Sequence, residues 1–231
     1  MTAVNLKNVL EPAVKEGYAL AGLVVLGWED ALAYVEAAEE TKIPIILQAG
    51  PSCRKHIPIP ILGKMFRYLA DNSSVSIVCH IDHGYTVQEC LEGIDNGFTS
   101  VMFDGSKLSL SENVRLSSFI AKKAHIAKVS LEGEIGFVGY DKGKQSTKTN
   151  PNDAVFFANE SGVDAMAISV GNTHLQTSKV AKINYFKILD IQKVTSLPLV
   201  LHGSSGISNL MRNKIARTTK VAKFNIGTEL R

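Results

Sequence analysis

The stretch VSIVCHIDHGY, Val75–Tyr85, decides the fold class. Its first half is an apolar, β-branched run, and at Gly84 it gives way to the helix-like segment Thr86–Asn96. Asp82 and His83 therefore fall where a strand ends and its loop begins. This is the edge of the sheet at which α/β proteins bind their ligands. Taken alone, the Asp–His pair can be a functional pair, one residue a ligand and its neighbour a base. It can equally be a structural pair at a strand end, held by hydrogen bonds from backbone amides.

The same alternation, a short β-like run followed by a helix-like segment, recurs along the whole chain. The eight runs are Ala19–Leu26, Ile43–Ala49, Val75–Asp82, Ser100–Asp104, Ala127–Glu134, Ala165–Val170, Leu197–His202 and Ala222–Ile226. The seven helix-like segments are Trp28–Thr41, Ile59–Ala70, Thr86–Asn96, Ser111–Ala124, Pro151–Ser161, Ile183–Thr195 and Ile207–Thr218. Most runs are nearly continuous in apolar residues, which is typical of strands buried on both faces of a parallel sheet.

This alternation predicts an α/β fold, a (β/α)₈ TIM barrel formed by residues 1–231 as a single domain. A doubly wound open sheet is the alternative. Because the chain stops at Thr228–Arg231, just past the eighth run, we expect the barrel to lack its C-terminal helix or helices. Ser111 is the expected N-cap of the fourth helix, and Asn150 followed by Pro151 predicts the start of the fifth.

Composition narrows the class of protein. Apolar residues make up 45% of the 231 positions and charged ones 20%, which provides material for a core and gives no sign of disorder. The 25 basic and 22 acidic side chains are scattered and leave a net charge of +3, which argues against nucleic acid as a partner and allows an anionic small substrate. Three cysteines without a CxxC pair predict a reducing, cytoplasmic setting. We expect no membrane association, because no uncharged run is long enough to span a bilayer.

Three of the six histidines follow strand ends. His83, His174 and His202 stand after the third, sixth and seventh runs and should face one mouth of the barrel. Three neutral imidazoles on three strands fit an open Zn²⁺ site with a vacant position for water or substrate, and polar loop histidines are the alternative. His80 and His125 are interpreted as structural residues.

A second group of residues follows the seventh and eighth runs. Gly203-Ser204-Ser205-Gly206 leads into a helix-like segment and can cradle a phosphate through backbone N–H groups, although such sequences also form ordinary turns. Asn225, Gly227 and Thr228 add a second wall where phosphate often binds between the last two strands of such barrels.

These motifs resemble those of the class II, metal-dependent ketose-bisphosphate aldolases of the fructose- and tagatose-bisphosphate type. The resemblance covers essentially the whole chain and is densest in HIDHG, GFTSVMFDGSKLSLSENV, VSLEGEIG, GVDAMAISVGNTH, PLVLHGSSG and KFNIGTELR. It implies reversible cleavage of a phosphorylated ketose to dihydroxyacetone phosphate and an aldehyde, in carbohydrate metabolism such as glycolysis. It also implies a homodimer or homotetramer.

The resemblance further implies roles for individual residues. His83, His174 and His202 would hold a catalytic Zn²⁺, and Asp82 would carry the proton of the C4 hydroxyl. Asp104 and Glu134 would offer carboxylates to an alternative or second cation. The residues that would bind the phosphate of the three-carbon fragment are Gly203, Ser204, Ser205, Asn225, Gly227 and Thr228. A Schiff-base route is disfavoured, because Lys128 and Lys223 lie near the starts of their runs.

The chain departs from the family pattern in three places. Leu175 follows His174 where the family usually has glycine, and Lys179 or Lys182 is the candidate for the phosphate-binding lysine that comes after it. The family's loop glutamate, which exchanges a proton on the three-carbon fragment, is absent. Asp141 is the nearest carboxylate and is the candidate catalytic substitute; a solvated loop residue is the alternative. The turn after the first run, Val24–Trp28, lacks the usual asparagine. We therefore expect the zinc chemistry with altered substrate contacts; the alternatives are a related barrel metalloenzyme acting on another sugar phosphate and a non-catalytic partner subunit.

Overall fold

The computed structural model describes residues 2–231, and its eight strands within that range form one closed parallel barrel. They follow one another in chain order, and β8 pairs with β1 to close the barrel. The strands are β1 Leu20–Val25, β2 Ile45–Ala49, β3 Ile77–Gly84, β4 Ser100–Phe103, β5 Ser130–Ile135, β6 Ala165–Ile168, β7 Leu199–Leu201 and β8 Val221–Ile226. The predicted (β/α)₈ barrel is confirmed, and the open sheet is excluded.

Helices surround the barrel. Over residues 2–231 they are α1 Leu6–Glu16, α2 Trp28–Thr41, α3 Pro51–Arg54, α4 Ile59–Asn72, α5 Val87–Asp95, α6 Leu110–Ile126, α7 Pro151–Glu160, α8 Tyr185–Lys193 and α9 Asn209–Thr218. Short 3₁₀ turns follow β7 at Ser204–Gly206 and β8 at Thr228–Leu230. None of the helices in this part of the chain is both long enough and apolar enough to cross a membrane.

The sequence prediction lacked α1, although the spacing of its apolar residues indicates a helix. Leu6, Val9, Leu10 and Ala13 recur at helical intervals and are all buried. They pack against the inward-facing side chains of the strands, including Val78 and Met102, and form one apolar cluster with them. The helix therefore closes the N-terminal end of the barrel, which leaves the C-terminal ends of the strands as its open mouth.

Helix starts hold the loops around that mouth. Thr86 and Glu89 form a reciprocal capping box at the start of α5. The N-cap of α6 is Ser109, whose hydroxyl accepts a hydrogen bond from the Glu112 N–H, so the prediction of Ser111 was wrong by two residues. Asn150 caps α7 as predicted.

The outer face of the barrel is left partly uncovered where the strands close. A groove of about 590 Å³ runs along β1 and β8 beside α9. In the described chain, the 3₁₀ turn Thr228–Leu230 follows β8.

Candidate metal centre and substrate cavity

The three strand-end histidines meet in the mouth of the barrel. His83 lies at the end of β3, His174 in the loop after β6, and His202 directly after β7. One ring nitrogen of each lies within 4.8 Å of the corresponding nitrogens of the other two, and His83 Nε2 is 2.9 Å from His202 Nδ1. Three converging imidazole nitrogens with an open side are the donor set of a catalytic zinc site.

The backbone at His83 departs from a regular strand. Its φ of 51° lies in the left-handed region, and the register between β3 and β4 shifts between Ile81 and Gly84. Consecutive strand residues normally point to opposite faces, and a bulge of this kind re-aims one of them. Here Asp82 meets Asn225 Nδ2 at 3.2 Å while His83 meets His202, so both side chains face the mouth. A left-handed residue other than glycine costs roughly 1–2 kcal/mol.

Carboxylates fix which ring nitrogen faces the centre in two of the three histidines, His83 and His202. Asp104 Oδ2 lies 2.8 Å from His83 Nδ1, so His83 presents Nε2 to the other histidines. Glu132 Oε1 lies 3.0 Å from His202 Nε2, so that ring presents Nδ1. The second oxygen of Glu132 is bound to Lys223 Nζ at 2.7 Å in the barrel interior. Such outer contacts orient a metal ligand and raise its basicity.

Burial and charge set the protonation of the three rings. Burial and the neighbouring His83 and His202 lower the pKa of His174 to about 3. Burial and His83 likewise hold the pKa of His202 well below its usual value, so both rings stay neutral with a lone pair available. Burial also lowers the pKa of His83, but nearby carboxylates led by Asp82 and Asp104 outweigh it and raise this pKa to about 9.

This protonation pattern fits a divalent cation. Two neutral imidazoles converge on a third that the surrounding carboxylates keep positively charged in the absence of metal. A cation bound between the three nitrogens would supply that positive charge in place of the proton, because a metal ligand must be deprotonated. The residues present are therefore suited to hold zinc.

Asp104 and Glu134 lie on the other side of the His83 ring. Together with His83 they form a second group whose ligand atoms lie within 4.8 Å of one another. Glu134 Oε2 is buried and has no hydrogen-bond partner among residues 2–231. Burial and the Asp104 carboxylate raise the pKa of Glu134 to about 8. A second cation at this position would compensate the two adjacent carboxylates.

Two cavities meet beside the histidines. A cavity of about 600 Å³ extends over Asp82, His83 and Tyr140 toward α3, and a smaller one of about 120 Å³ reaches toward β7 and β8. They share the residues Val24, Ser52, Asp82, His174 and Leu175. A ligand that fills both therefore passes directly over Asp82 and His174.

The predicted phosphate residues surround the small cavity. Gly203, Ser205, Asn225, Gly227 and Thr228 line it. Gly203 has a φ of 60°, and a Cβ there would lie 2.2 Å from the Thr173 carbonyl oxygen, so no other residue fits this turn. Ser204 is buried next to the cavity, and its hydroxyl donates to the Leu201 carbonyl at 2.7 Å.

Two predicted residues lie apart from this group within the described chain. Lys179 lines neither cavity; its ammonium group donates to Asn209 Oδ1 at 3.0 Å and pairs with Glu229. Asp141 is exposed in the loop after β5, and its backbone N–H donates to the His174 carbonyl at 3.1 Å. The opposite charge of Glu229, supplied by the turn after β8, accounts for the position of Lys179.

Several residues at the site were not predicted. Ser52 and Arg54 follow β2, so the same inspection of strand ends would have found them. Tyr140 packs its ring 5.1 Å from His174 in the large cavity, and Arg231 lines the small one. Leu175, predicted only as a departure, has a φ of 59°, a conformation that glycine adopts without strain.

The chain is similar to known proteins over nearly its whole length. The family model described as fructose-bisphosphate aldolase class-II matches residues 4–231. A 6-phospho-5-dehydro-2-deoxy-D-gluconate aldolase from Bacillus licheniformis is 33% identical, over 99% of this chain and 80% of that protein. A sulfofructosephosphate aldolase from Alkalicoccus urumqiensis is 32% identical, over 100% and 82%. The crystal structure of the YdjI aldolase from Escherichia coli K12 superposes with a TM-score of 0.89 at 28% identity, over 99% of this chain and 82% of that one.

Proposed function

Because the chain belongs to the class II fructose-bisphosphate aldolase family, we propose that it is a zinc-dependent aldehyde-lyase acting on a phosphorylated ketose. It cleaves this ketose reversibly to dihydroxyacetone phosphate and an aldehyde, with residues 1–231 acting as one catalytic domain. The observation that carries the proposal is the meeting of two cavities at Asp82 and His174, beside the three converging histidines.

His83, His174 and His202 are the proposed zinc ligands. A zinc ion at this position supplies Lewis-acid polarisation of the ketose oxygens. Asp104 and Glu132 hold two of the rings in the required orientation through their outer nitrogens. Asp104 and Glu134 are the proposed ligands of a second cation.

Asp82 is the proposed acid and base. Burial raises the pKa of this carboxyl group, but His83 and His202 outweigh it and lower the pKa, so the group is ionised and able to accept a proton. Asn225 Nδ2 donates to its Oδ1, and a Cβ at Gly50 would lie 3.6 Å from its Oδ2. Asp82 takes the proton of the C4 hydroxyl during cleavage and returns it to the aldehyde oxygen during condensation.

The small cavity is the proposed site of the phosphate on the three-carbon fragment. Its walls come from the turns after β7 and β8, including Gly203, Ser205 and Thr228, and Ser204 supports them. Arg231 at its edge adds a positive charge. The larger cavity takes the aldehyde half of the substrate. Asp141, exposed in the loop next to Tyr140, is our candidate for proton exchange on the three-carbon fragment.

Members of one aldolase family can act on different phosphorylated ketoses, and the relatives and Leu175 bear on which of them this site binds. The Bacillus licheniformis and Alkalicoccus urumqiensis relatives are named for acidic sugar phosphates other than fructose bisphosphate. Leu175, 65% exposed at the junction of the cavities, favours a substrate different from that of glycine-bearing family members. A non-catalytic subunit is disfavoured, because the ligand histidines and Asp82 are all present. For the assembly we propose a homodimer or homotetramer, which light scattering can test.

The decisive experiment is turnover of a panel of ketose mono- and bisphosphates, with and without zinc, followed by detection of triose phosphate. The panel includes fructose bisphosphate, tagatose bisphosphate and the substrates named for the two relatives. Asp82→Asn should lower kcat by roughly 10²–10⁴-fold while zinc still binds. Asp71→Asn is the control, because that carboxylate is exposed on α4 and pairs with Arg67. Protein that holds no divalent metal, or D82N turnover equal to that of the parent, would refute the proposal.

A further inference from the structure

The bulge at the end of β3 needs support that the strand itself does not provide. Regular pairing between β2 and β3 ends at Ala49 and Ile81, immediately before Asp82. Pairing with β4 is interrupted between Ile81 and Gly84, and the His83 N–H contacts the Met102 sulfur at 3.4 Å instead of a carbonyl. The two residues whose side chains face the metal centre therefore lie outside the regular hydrogen-bond ladder.

The backbone carbonyls of this bulge converge on Arg54. Its Nη1 donates to the Asp82 carbonyl at 2.6 Å and to the Ala49 carbonyl at 2.6 Å. Its Nη2 donates to the His83 carbonyl at 2.8 Å. One guanidinium therefore links the end of β2 to Asp82 and His83, at the point where the backbone pairing of β2 with β3 ends.

Glu89 extends the same support to the residues after the bulge. Its Oε1 accepts from Arg54 Nη2 at 3.2 Å, and the Arg54 side chain is only 5% exposed. Its Oε2 accepts from the backbone N–H of Tyr85 at 2.9 Å and of Thr86 at 3.1 Å. The chain on both sides of Gly84 is therefore tied to one ion pair, in which Arg54 is buried and Glu89 is partly exposed.

We propose that Arg54 is a positioning residue for the metal centre. Its guanidinium holds the carbonyls of Asp82 and His83 on the side of the β3 backbone that faces Arg54, so that both side chains stay on the side that faces the metal centre. Arg54 lines the large cavity, but its side chain is only 5% exposed and both of its Nη atoms are bound within the protein, so we infer that it acts through Asp82 and His83. The inference rests on the proposed function in taking His83 as a metal ligand. Lysine cannot replace it fully, because a planar fork binds neighbouring carbonyls at fixed angles and an ammonium group does not.

Zinc affinity tests this role without reference to turnover. Arg54→Lys and Arg54→Met are compared with the parent and with Arg115→Met, a control at an exposed arginine that pairs with Glu112 on α6. Zinc dissociation constants come from competition with a chromophoric chelator, and folding of the metal-free proteins is followed by circular dichroism. Loss of an outer contact to a metal ligand lowers affinity roughly 10–100-fold, so we expect a fall of about tenfold in R54K and up to about a hundredfold in R54M.

Kinetics at saturating zinc then separate positioning from binding. We expect kcat to fall in both Arg54 variants with KM changed less than about twofold, because the substrate contacts stay in place. The inference is overturned if both variants bind zinc within about twofold of the parent, if R54M is unfolded while R54K binds like the parent, or if neither folds without metal. A parent protein that binds zinc but cleaves nothing refutes the proposed function and leaves the affinity test of Arg54 intact.

Discussion

Replacing Lys223 by methionine should destabilise the protein strongly, because it leaves the Glu132 carboxylate without its cation inside the barrel. Lys223 Nζ lies 2.7 Å from Glu132 Oε2, and both side chains are fully buried. The other oxygen of Glu132 is bound to His202 Nε2, so the carboxylate cannot turn toward solvent. Breaking a buried pair by removing one partner costs roughly 3–5 kcal/mol. For a chain of this size that lowers the melting temperature by roughly 6–20 °C.

Thermal unfolding followed by circular dichroism, in EDTA so that metal binding does not contribute, measures this effect. Lys193→Met is the matched control: Lys193 pairs with Asp190 at 3.4 Å on the surface of α8, and its loss should leave the melting temperature unchanged. The double variant K223M/E132Q removes the unpaired charge and should recover at least half of the loss. A K223M melting temperature equal to that of K193M would refute the reasoning.

Three further predictions follow from the site. Incubation with EDTA should abolish cleavage, and added Zn²⁺ should restore it; activity that persists in EDTA would contradict the zinc dependence. Zinc at a hundred times its dissociation constant should stabilise the fold by roughly 2.7 kcal/mol. Gly203→Ala places a Cβ 2.2 Å from the Thr173 carbonyl oxygen and should lower kcat/KM roughly a hundredfold. Gly17→Ala is the control: Gly17 also has a positive φ, but the nearest atom to its added Cβ lies at 3.6 Å, so activity should be unchanged. Leu175→Gly relieves a φ of 59° that costs roughly 1–2 kcal/mol, but it adds chain entropy of about 0.5–1 kcal/mol to the unfolded state. Unfolding measurements should therefore show a net gain of about 0–1.5 kcal/mol, and any clear loss would count against this reasoning.

Much of the fold could be predicted because its signals are local. Eight apolar runs separated by helical patterns predicted the barrel, and the strands formed within a few residues of the expected bounds. The position of His83, His174 and His202 after strand ends predicted their meeting, since parallel strands bring their C-terminal ends to one mouth. The missed helix Leu6–Glu16 carried an equally local signal in its apolar spacing.

The parts of the site that the sequence did not predict depend on partners distant along the chain. Lys223, expected near the start of its strand, is bound to Glu132, 91 residues away. Lys179 was expected at the phosphate, and Glu229, 50 residues further on, holds it elsewhere. Nothing near Arg54 in the sequence indicates that its donors meet the carbonyls of Asp82 and His83.

The sequence alone therefore determined the barrel, the edge at which the chemistry collects and the three imidazoles that converge there, because periodicity and strand ends are properties of neighbouring residues. Only the tertiary structure decided that Asp82 and His83, adjacent on one strand, both face the candidate metal centre. That outcome depends on a left-handed backbone at His83 and on hydrogen bonds from Arg54, 28 and 29 residues away, which exist only once the strands are side by side.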